Sequence, residues 1–408
     1  EARRGGEEKG DRGRQGCVPV WGDRKRYGND APKLAVRRSK VAVELPMAPN
    51  GDKAMQTTMM NTPLSLDHLL ERAGQIFHGN DIVSRLPDKS LKRHSYAEYY
   101  RRTRALAAAL LELGLQKGER VATLCWNQHA HLEAYFGSPA AGRVMHTLNL
   151  RLSPEEIGWI AGDAQDRFLI IDDVLLPLYR QFAHLHAFDK VIVYPFSGAP
   201  VPAQFVDYEA LLAGADPDGF QYAPHDERDP SSMCYTSGTT GRPKGVMQTH
   251  RNLLAMTACY FTDVDDVAPG DAMVYAAPMS HGAGLYNYAQ VLRGGLHVVP
   301  LSGGFDPAEL VALAASVGQL TLFAAPTMVH RLVEHVRQQE RFIASYVVVG
   351  CNAVNLRIGD RIDVNGNEDM GMGFIGNIAA RLQFRRIGSV RAVDISIGGT
   401  GHDDFRAC

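Results

Sequence analysis

The sequence predicts an α/β fold in which stacked, mainly parallel sheets are covered by helices. Three observations predict it. Helix start signals recur along the chain, short apolar runs of strand length lie between them, and 45% of the residues are hydrophobic. Strands that alternate with helices at this spacing are typical of parallel sheets with both faces covered.

Three segments carry the signature of a helix N-terminus. Ser95 is a capping residue with Glu98 three positions on, and the apolar face that follows ends at Gly114. The stretches "SPEE" at 153–156 and "DPAE" at 306–309 repeat the pattern with a proline in the first turn. A Ser or Asp side chain accepts from the backbone at N3, and an N3 glutamate can bind back to the cap. We therefore expect three well-bounded helices.

The strands are predicted from apolar runs. Six runs are short, rich in β-branched or aromatic residues and bounded by polar or Gly/Pro positions, as buried strands are. They are residues 120–125, 168–171, 191–194, 273–277, 296–301 and 320–325. A seventh strand end is expected at Met233–Tyr235, directly before a glycine-rich stretch.

The first part of the chain has a different composition. Residues 1–57 hold thirteen Lys and Arg against eight Asp and Glu, without sustained apolar periodicity, so we expect a disordered basic leader. It matches neither a secretory signal nor an acid-poor transit peptide. Either the leader is native, or translation starts at Met55, Met59 or Met60 and the upstream segment is read-through; we favour the second account.

Charge and cysteine usage exclude several classes of function. The formal net charge of −2 creates no field that would recruit nucleic acid, and no apolar run approaches the roughly 18 to 20 residues of a membrane helix. The six cysteines are scattered, without a C-x-x-C pair, so we expect free thiols in a cytoplasmic protein, with Cys125 and Cys234 buried. The oligomeric state stays open.

The stretch "YTSGTTGRPKG", residues 235–245, carries the chemistry. Glycines and small hydroxyl residues let backbone NH groups face one concavity, and Lys244 adds a fixed positive charge, which suits phosphate oxygens. The spacing is not that of the P-loop NTPases. Because the loop follows a strand end, we expect it at the carboxyl edge of a sheet, where α/β folds bind ligands. The alternative is a glycine-rich surface turn.

This stretch resembles the phosphate-binding signature of the adenylate-forming superfamily, to which acyl-CoA synthetases belong. Further segments follow in that family's order: 126–157 with the Asn-x-Arg-Leu element at 149–152, then 249–254, 277–287 and 323–328. The resemblance covers roughly residues 62–340 and is closest to fatty-acid–CoA ligases. It implies the large N-terminal domain of these enzymes, here at 58–340 and incomplete, without the small C-terminal domain.

The resemblance also implies roles. Enzymes of this family join a carboxylic acid to ATP, release pyrophosphate and transfer the acyl group to coenzyme A, with Mg²⁺ on the phosphates. The residues that would bind the nucleotide are Thr236, Ser237, Gly238, Thr239, Thr240, Gly241 and Lys244, of which Thr236 and Lys244 are also expected to act in catalysis. No metal ligand is assigned, although Thr240 or its neighbours are expected to face the magnesium ion.

The acid would lie beside His281. That residue matches an active-site position of the family next to the reacting carboxylate, so we expect it in catalysis and in acid binding. Gly282 and Gly284 would leave room for an acyl chain, and Thr327 would lie near the acyl-phosphate junction. Without the resemblance, a histidine after a strand is more often a packing or loop residue, and the two glycines could equally form a strand-to-helix turn.

The resemblance ends near residue 340. The family's Tyr-Gly-x-Thr-Glu element and C-terminal lysine cannot be found: Tyr346 is the last tyrosine and is followed by valine, and Lys244 is the last lysine. Residues 344–350 could form one more strand, and we expect 341–408 to be a non-matching, possibly frameshifted tail. The chain is therefore expected to make acyl-adenylate poorly or not at all.

Two functional hypotheses stay open. The first is an acyl-CoA synthetase-type ligase for a fatty or aryl acid, with ATP and coenzyme A as co-substrates. The second is a non-catalytic nucleotide-binding remnant that folds around residues 62–340. An unrelated P-loop phosphotransferase is disfavoured by the loop spacing.

Overall fold

The computed structural model describes residues 62–236, 241–317 and 320–338, together with strands at 346–351, 378–387 and 390–397. The predicted leader, 1–57, lies outside the described residues. The helices are α1 (Asp67–Ile76), α2 (Tyr96–Glu112), α3 (His129–Ala140), α4 (Pro154–Ala164), α5 (Leu176–Phe182), α6 (Tyr208–Gly214), α7 (His250–Asp263), α8 (Gly282–Leu285), α9 (Asn287–Arg293), α10 (Pro307–Val317) and α11 (Pro326–Gln338). The strands are β1 (Asp81–Arg85), β2 (Leu91–Ser95), β3 (Arg120–Leu124), β4 (Val144–Thr147), β5 (Asp166–Asp172), β6 (Lys190–Tyr194), β7 (Val206–Asp207), β8 (Pro230–Thr236), β9 (Lys244–Thr249), β10 (Ala272–Val274), β11 (Leu296–Val298), β12 (Leu320–Phe323), β13 (Tyr346–Cys351), β14 (Ile378–Ile387) and β15 (Val390–Ile397).

The strands form two sheets. The eight-stranded sheet has the order β15-β14-β13-β12-β10-β11-β1-β2, and the seven-stranded sheet has the order β7-β6-β5-β3-β4-β8-β9. Pairing is parallel from β1 through β11, β10 and β12 to β13, and from β7 to β8, with antiparallel strands only at the edges. The predicted class of mainly parallel sheets with helices is confirmed, and all six apolar runs form strands.

The helix caps confirm the local predictions with one difference. The Ser95 side chain accepts from the backbone of Glu98, and Ser153 and Glu156 form a complete capping box. Asp306 also accepts from the backbone of Glu309 at 3.0 Å. The Glu309 carboxylate, however, accepts from the backbone of 301–302 and leaves the third box open.

Helix α3 was not predicted because it has no amphipathic period. All twelve of its residues are buried, including polar His131 and Glu133. The Glu133 carboxylate is paired with Arg102 at 2.6 Å and accepts from the Tyr208 hydroxyl at 2.6 Å. A buried charge is tolerated only when it is paired and hydrogen-bonded, so this cluster lets a polar helix lie inside the core.

The two cysteines predicted to be buried differ. Cys125 is buried at 1% exposure, and burial raises its pKa. Cys234 is only partly buried, which corrects the prediction. It lies on β8, whose neighbour β9 is an exposed edge strand, so one side of Cys234 lacks the cover that a central strand would provide.

Candidate functional site

The glycine-rich loop joins β8 to β9 at the carboxyl edge of the seven-stranded sheet. Strand β8 runs parallel to β4, so Thr236 marks its carboxyl end, as the sequence predicted. The chain then returns antiparallel, with Lys244 paired in register with Thr236. The loop is therefore the tip of a hairpin, and its two described ends bring an exposed hydroxyl and an exposed ammonium group together.

Parts of the predicted phosphate cradle can be placed individually. Gly241 is exposed and has a φ of +132°, a backbone conformation that favours glycine, with open space at its Cβ position. Ser237, Gly238, Thr239 and Thr240 lie outside the described residues. Their roles, like those of Thr236 and Lys244, stay predictions.

Aromatic packing holds both ends of this loop against α4. Tyr235 donates its hydroxyl hydrogen bond to Asp163 at 2.7 Å, and its ring contacts His146 and Trp159. From the other end, the Arg242 guanidinium lies 5.1 Å from the centre of the Trp159 ring. A cation over an aromatic face is attracted to it, so Trp159 supports the loop on both sides. The sequence analysis did not identify this support.

A cavity of about 630 Å³ is lined by two of the other predicted site residues. It is lined by residues that follow strands of both sheets, among them His281 and Thr327, which the sequence assigned to the acid. Its aromatic and apolar walls include Trp126, Phe305, Phe323 and Met328, with the cationic side chain of Arg151 among the lining residues. Ligand pockets are commonly apolar with few convergent polar groups. Thr236 and Lys244 do not line it.

Gly282 and Gly284 are not among the lining residues of this cavity. A Cβ on Gly284 would lie 1.8 Å from the Tyr135 hydroxyl and 2.1 Å from the Met279 carbonyl oxygen. A Cβ on Gly282 would lie 2.9 Å from the Phe323 ring. The space that was expected to receive an acyl chain at Gly284 is taken by the protein itself, so in this structure Gly284 is a packing residue at the start of α8.

A hydrogen-bonded turn that the sequence analysis did not single out connects the two sheets beside the cavity. Residues 126–128 follow β3, and the Asp172 carboxylate accepts from the Trp126 backbone and the Gln128 side chain, both at 2.7 Å. Between them, the Asn127 side chain reaches the segment that leads from β10 to His281. Polar residues directly after a predicted strand were the available signal.

Asp172 gives a testable pH dependence. Burial raises the pKa of its carboxyl from 3.8 to about 7 despite the two donated hydrogen bonds. Between about pH 4 and pH 7 the folded state therefore holds a proton that the unfolded state has lost, so stability falls as pH rises, at most by about 1.4 kcal/mol per pH unit. In Asp172→Asn, denaturant unfolding should show that slope reduced relative to the unsubstituted chain.

The matched control is Asp218→Asn, whose carboxylate is exposed and has a single long ion pair, 3.9 Å from Arg101. Its stability should follow that of the unsubstituted chain at every pH. Parallel curves for Asp172→Asn and the unsubstituted chain would contradict the assignment.

A buried cluster away from the cavity has the residue types of a metal site. Ligand atoms of His94, His129 and Glu133 lie within 4.8 Å of one another. Burial lowers the pKa of both histidines, to about 3 for His94. The Glu133 carboxylate, however, already accepts from Arg102 and Tyr208. A cation would compete with the Arg102 guanidinium, so we assign this cluster to the core.

The fold defines the class of the protein: a mainly parallel α/β protein with a glycine-rich hairpin at the carboxyl edge of one sheet and a separate, largely apolar cavity. A sequence model described as "AMP-binding enzyme" matches residues 71–393. The chain therefore belongs to the AMP-binding enzyme family. Within the described residues, no helix is long and apolar enough to cross a membrane.

Curated relatives are acid–CoA ligases. The chain is 38% identical over 286 residues to a long-chain-fatty-acid–CoA ligase of Thermus thermophilus, covering 69% of this chain and 51% of the relative. It is 34% identical to a 3-methylmercaptopropionyl-CoA ligase of Ruegeria lacuscaerulensis, with 68% and 52% covered. The chain thus spans about half the length of the curated relatives it matches.

Solved structures support the fold. Apo MatB from Rhodopseudomonas palustris aligns with a TM-score of 0.56 at 25% identity, covering 67% of this chain and 51% of that one. The inhibitor-bound N-terminal domain of FACL13 from Mycobacterium tuberculosis aligns with a TM-score of 0.59 at 20% identity, covering 71% and 76%. The second likeness, which extends over three quarters of an isolated N-terminal domain, shows the fold alone.

Proposed function

We propose that the protein is an acyl-CoA synthetase-type ligase that activates a fatty or aryl acid with ATP and transfers the acyl group to coenzyme A. The observation that carries the proposal is the hairpin loop, in a family member, with Thr236 and Lys244 paired at the carboxyl edge of the seven-stranded sheet. The names of the relatives, which include long-chain and medium-chain fatty-acid–CoA ligases, support the substrate class.

The first half-reaction needs charge control at the phosphates. A carboxylate oxygen attacks the α-phosphorus of ATP, the bond to the β-phosphate oxygen breaks, and pyrophosphate leaves with the negative charge. Lys244 would neutralise that charge, while the Thr236 hydroxyl and the Gly241 backbone would hold phosphate oxygens. Mg²⁺ would supply further positive charge there, since it prefers phosphate and hydroxyl oxygens.

The other part of the site is the cavity, which would receive the acid. His281 and Thr327 line the same cavity, and its apolar walls suit an uncharged acyl or aryl group. His281 would lie beside the carboxylate as it approaches the phosphate, and the thiol sulfur of coenzyme A would then displace AMP from the acyl carbon.

The free, buried Cys125 agrees with a cytoplasmic location of the protein.

Carboxylate-dependent exchange of labelled pyrophosphate into ATP tests the proposal on the purified chain. We expect weak exchange that depends on a fatty or aryl acid, because the family's Tyr-Gly-x-Thr-Glu element and second lysine are not found in residues 1–408. Robust exchange would contradict the expected weak activity, while supporting the ligase.

The alternative is a nucleotide-binding remnant, which the same missing motifs favour. It predicts that ATP binds while no acid, at any concentration, promotes exchange or changes ATP affinity. Isothermal titration with ATP, with and without a saturating medium-chain acid, therefore separates the two functions.

A further inference from the structure

We propose that Asn127 is a positioning residue that fixes the segment from Tyr275 to His281 and thereby sets the place of His281 at the acid cavity. The proposal rests on the proposed function, because His281 has a role in positioning the acid only there. Asn127 lies on the seven-stranded sheet's side of the cavity, after β3, whereas His281 follows β10 of the eight-stranded sheet.

The side-chain amide of Asn127 makes two donated hydrogen bonds and one accepted hydrogen bond, all to this one segment. Its Nδ2 donates to the carbonyl oxygens of Tyr275 at 2.8 Å and Ala277 at 2.9 Å, and its Oδ1 accepts from the backbone NH of Met279 at 2.7 Å. An amide alone among side chains of this length offers two donors and an acceptor. Aspartate lacks the donors, and leucine lacks all three bonds.

The base of this contact is itself fixed. Asp172 accepts from the backbone of Trp126 and the side chain of Gln128, the two neighbours of Asn127, both at 2.7 Å. Gln128 also caps α3 by accepting from Ala130 at 2.8 Å. Asn127 therefore extends from a turn that is held at both ends. Its three hydrogen bonds fix the segment after β10 relative to the turn after β3, and so link the two sheets.

His281 depends on this support because its own ring does not provide it. Its backbone NH donates to the Pro278 carbonyl at 3.1 Å, which closes a turn, and its side chain makes no capping bond to α8. The imidazole is exposed at the cavity. Tyr135 of α3 adds one further contact, from its hydroxyl to the Met279 carbonyl. The position of the ring therefore follows from the position of residues 275–279.

Asn127→Ala tests the contact without any assumption about function. Hydrogen–deuterium exchange of peptides covering 275–282 should rise in this variant, while exchange of β3 and β10 stays unchanged. The control is Asn80→Ala: Asn80 is equally half-buried and donates to the carbonyl of Gly294, far along the chain, but does not line the cavity. Unchanged exchange at 275–282 in Asn127→Ala would overturn the proposal.

Binding separates positioning from general stability. The probe is a non-hydrolysable acyl-sulfamoyl adenosine, a mimic of the acyl-adenylate, compared with ATP alone. We expect Asn127→Ala to weaken the mimic about 10-fold, a coupling typical of residues that act through one another, and to leave ATP affinity unchanged. Asn80→Ala should change neither affinity.

The double variant decides whether Asn127 acts through His281. If it does, Asn127→Ala in a His281→Ala background should cause little further loss of mimic affinity. Full additivity of the two losses would overturn the proposal, and so would equal weakening of ATP and mimic. If His281→Ala alone has no effect on the mimic while exchange at 275–282 still rises in Asn127→Ala, the role proposed for His281 has failed and the contact itself stands.

Discussion

Replacing Lys244 with alanine is expected to weaken ATP binding by up to about 100-fold and pyrophosphate binding by a similar factor. Lys244 is exposed, lies opposite Thr236 at the tip-facing end of β9 and carries the positive charge of the loop's described ends together with Arg242. Hydrogen bonds between charged groups contribute about 1.5–3 kcal/mol each, which corresponds to about 10-fold to 100-fold in affinity. Titration calorimetry measures both constants, and binding of AMP, which lacks the β- and γ-phosphates, should change far less.

The chain offers a matched control on the same sheet. Lys190 is also exposed and also begins a strand, β6, but β6 runs parallel to its neighbours, so Lys190 lies at the amino edge. Lys190→Ala should leave ATP and pyrophosphate binding unchanged. If both lysine variants weakened ATP equally, the effect would come from overall charge, and the assignment of the phosphate site to the hairpin would be contradicted.

The sequence predicted the parts of the fold whose information is local. Ser153 and Glu156 lie three residues apart, and that spacing alone specifies the capping box that the structure shows. The strands could be predicted equally well, because parallel strands are buried on both faces and therefore appear in the sequence as short apolar runs. Helix α3 could not be predicted in this way: Glu133 is tolerated there only because Arg102, from another helix, pairs with it.

The site residues also divide into those that a local stretch of sequence predicts and those that depend on contacts distant in the chain. The glycine-rich stretch was recognised because backbone conformation and one lysine are encoded within eleven residues. Asn127 was missed because its three partners lie about 150 residues further on, and no local pattern shows that a turn after β3 will meet the segment after β10. Gly284 is the opposite case. The sequence predicted room for an acyl chain there, but the hydroxyl of Tyr135, from α3, occupies the space next to Gly284.

A large side chain at position 304 should fill part of the cavity and weaken binding of the acid, while ATP affinity stays unchanged. Gly304 lines the cavity, its Cβ position has no heavy atom within 4 Å, and its φ is not in the left-handed region, so a large side chain can be added there without backbone strain. In Gly304→Trp the indole would occupy part of the roughly 630 Å³ that the acyl group needs. We expect affinity for the acyl-sulfamoyl adenosine to fall by about 100-fold, the scale set by overpacking costs of about 1–3 kcal/mol.

Gly79→Trp provides the control for the added indole, because Gly79 also has open space at its Cβ position but lies outside the lining of the cavity. That variant should bind the mimic as the unsubstituted chain does. A graded series sharpens the test: Gly304→Ala, Gly304→Leu and Gly304→Trp should exclude progressively shorter acyl chains, because each fills more of the same space. Uniform loss of every chain length, or a loss of ATP affinity in parallel, would mean that the indole disturbs the fold and that the acyl group binds elsewhere.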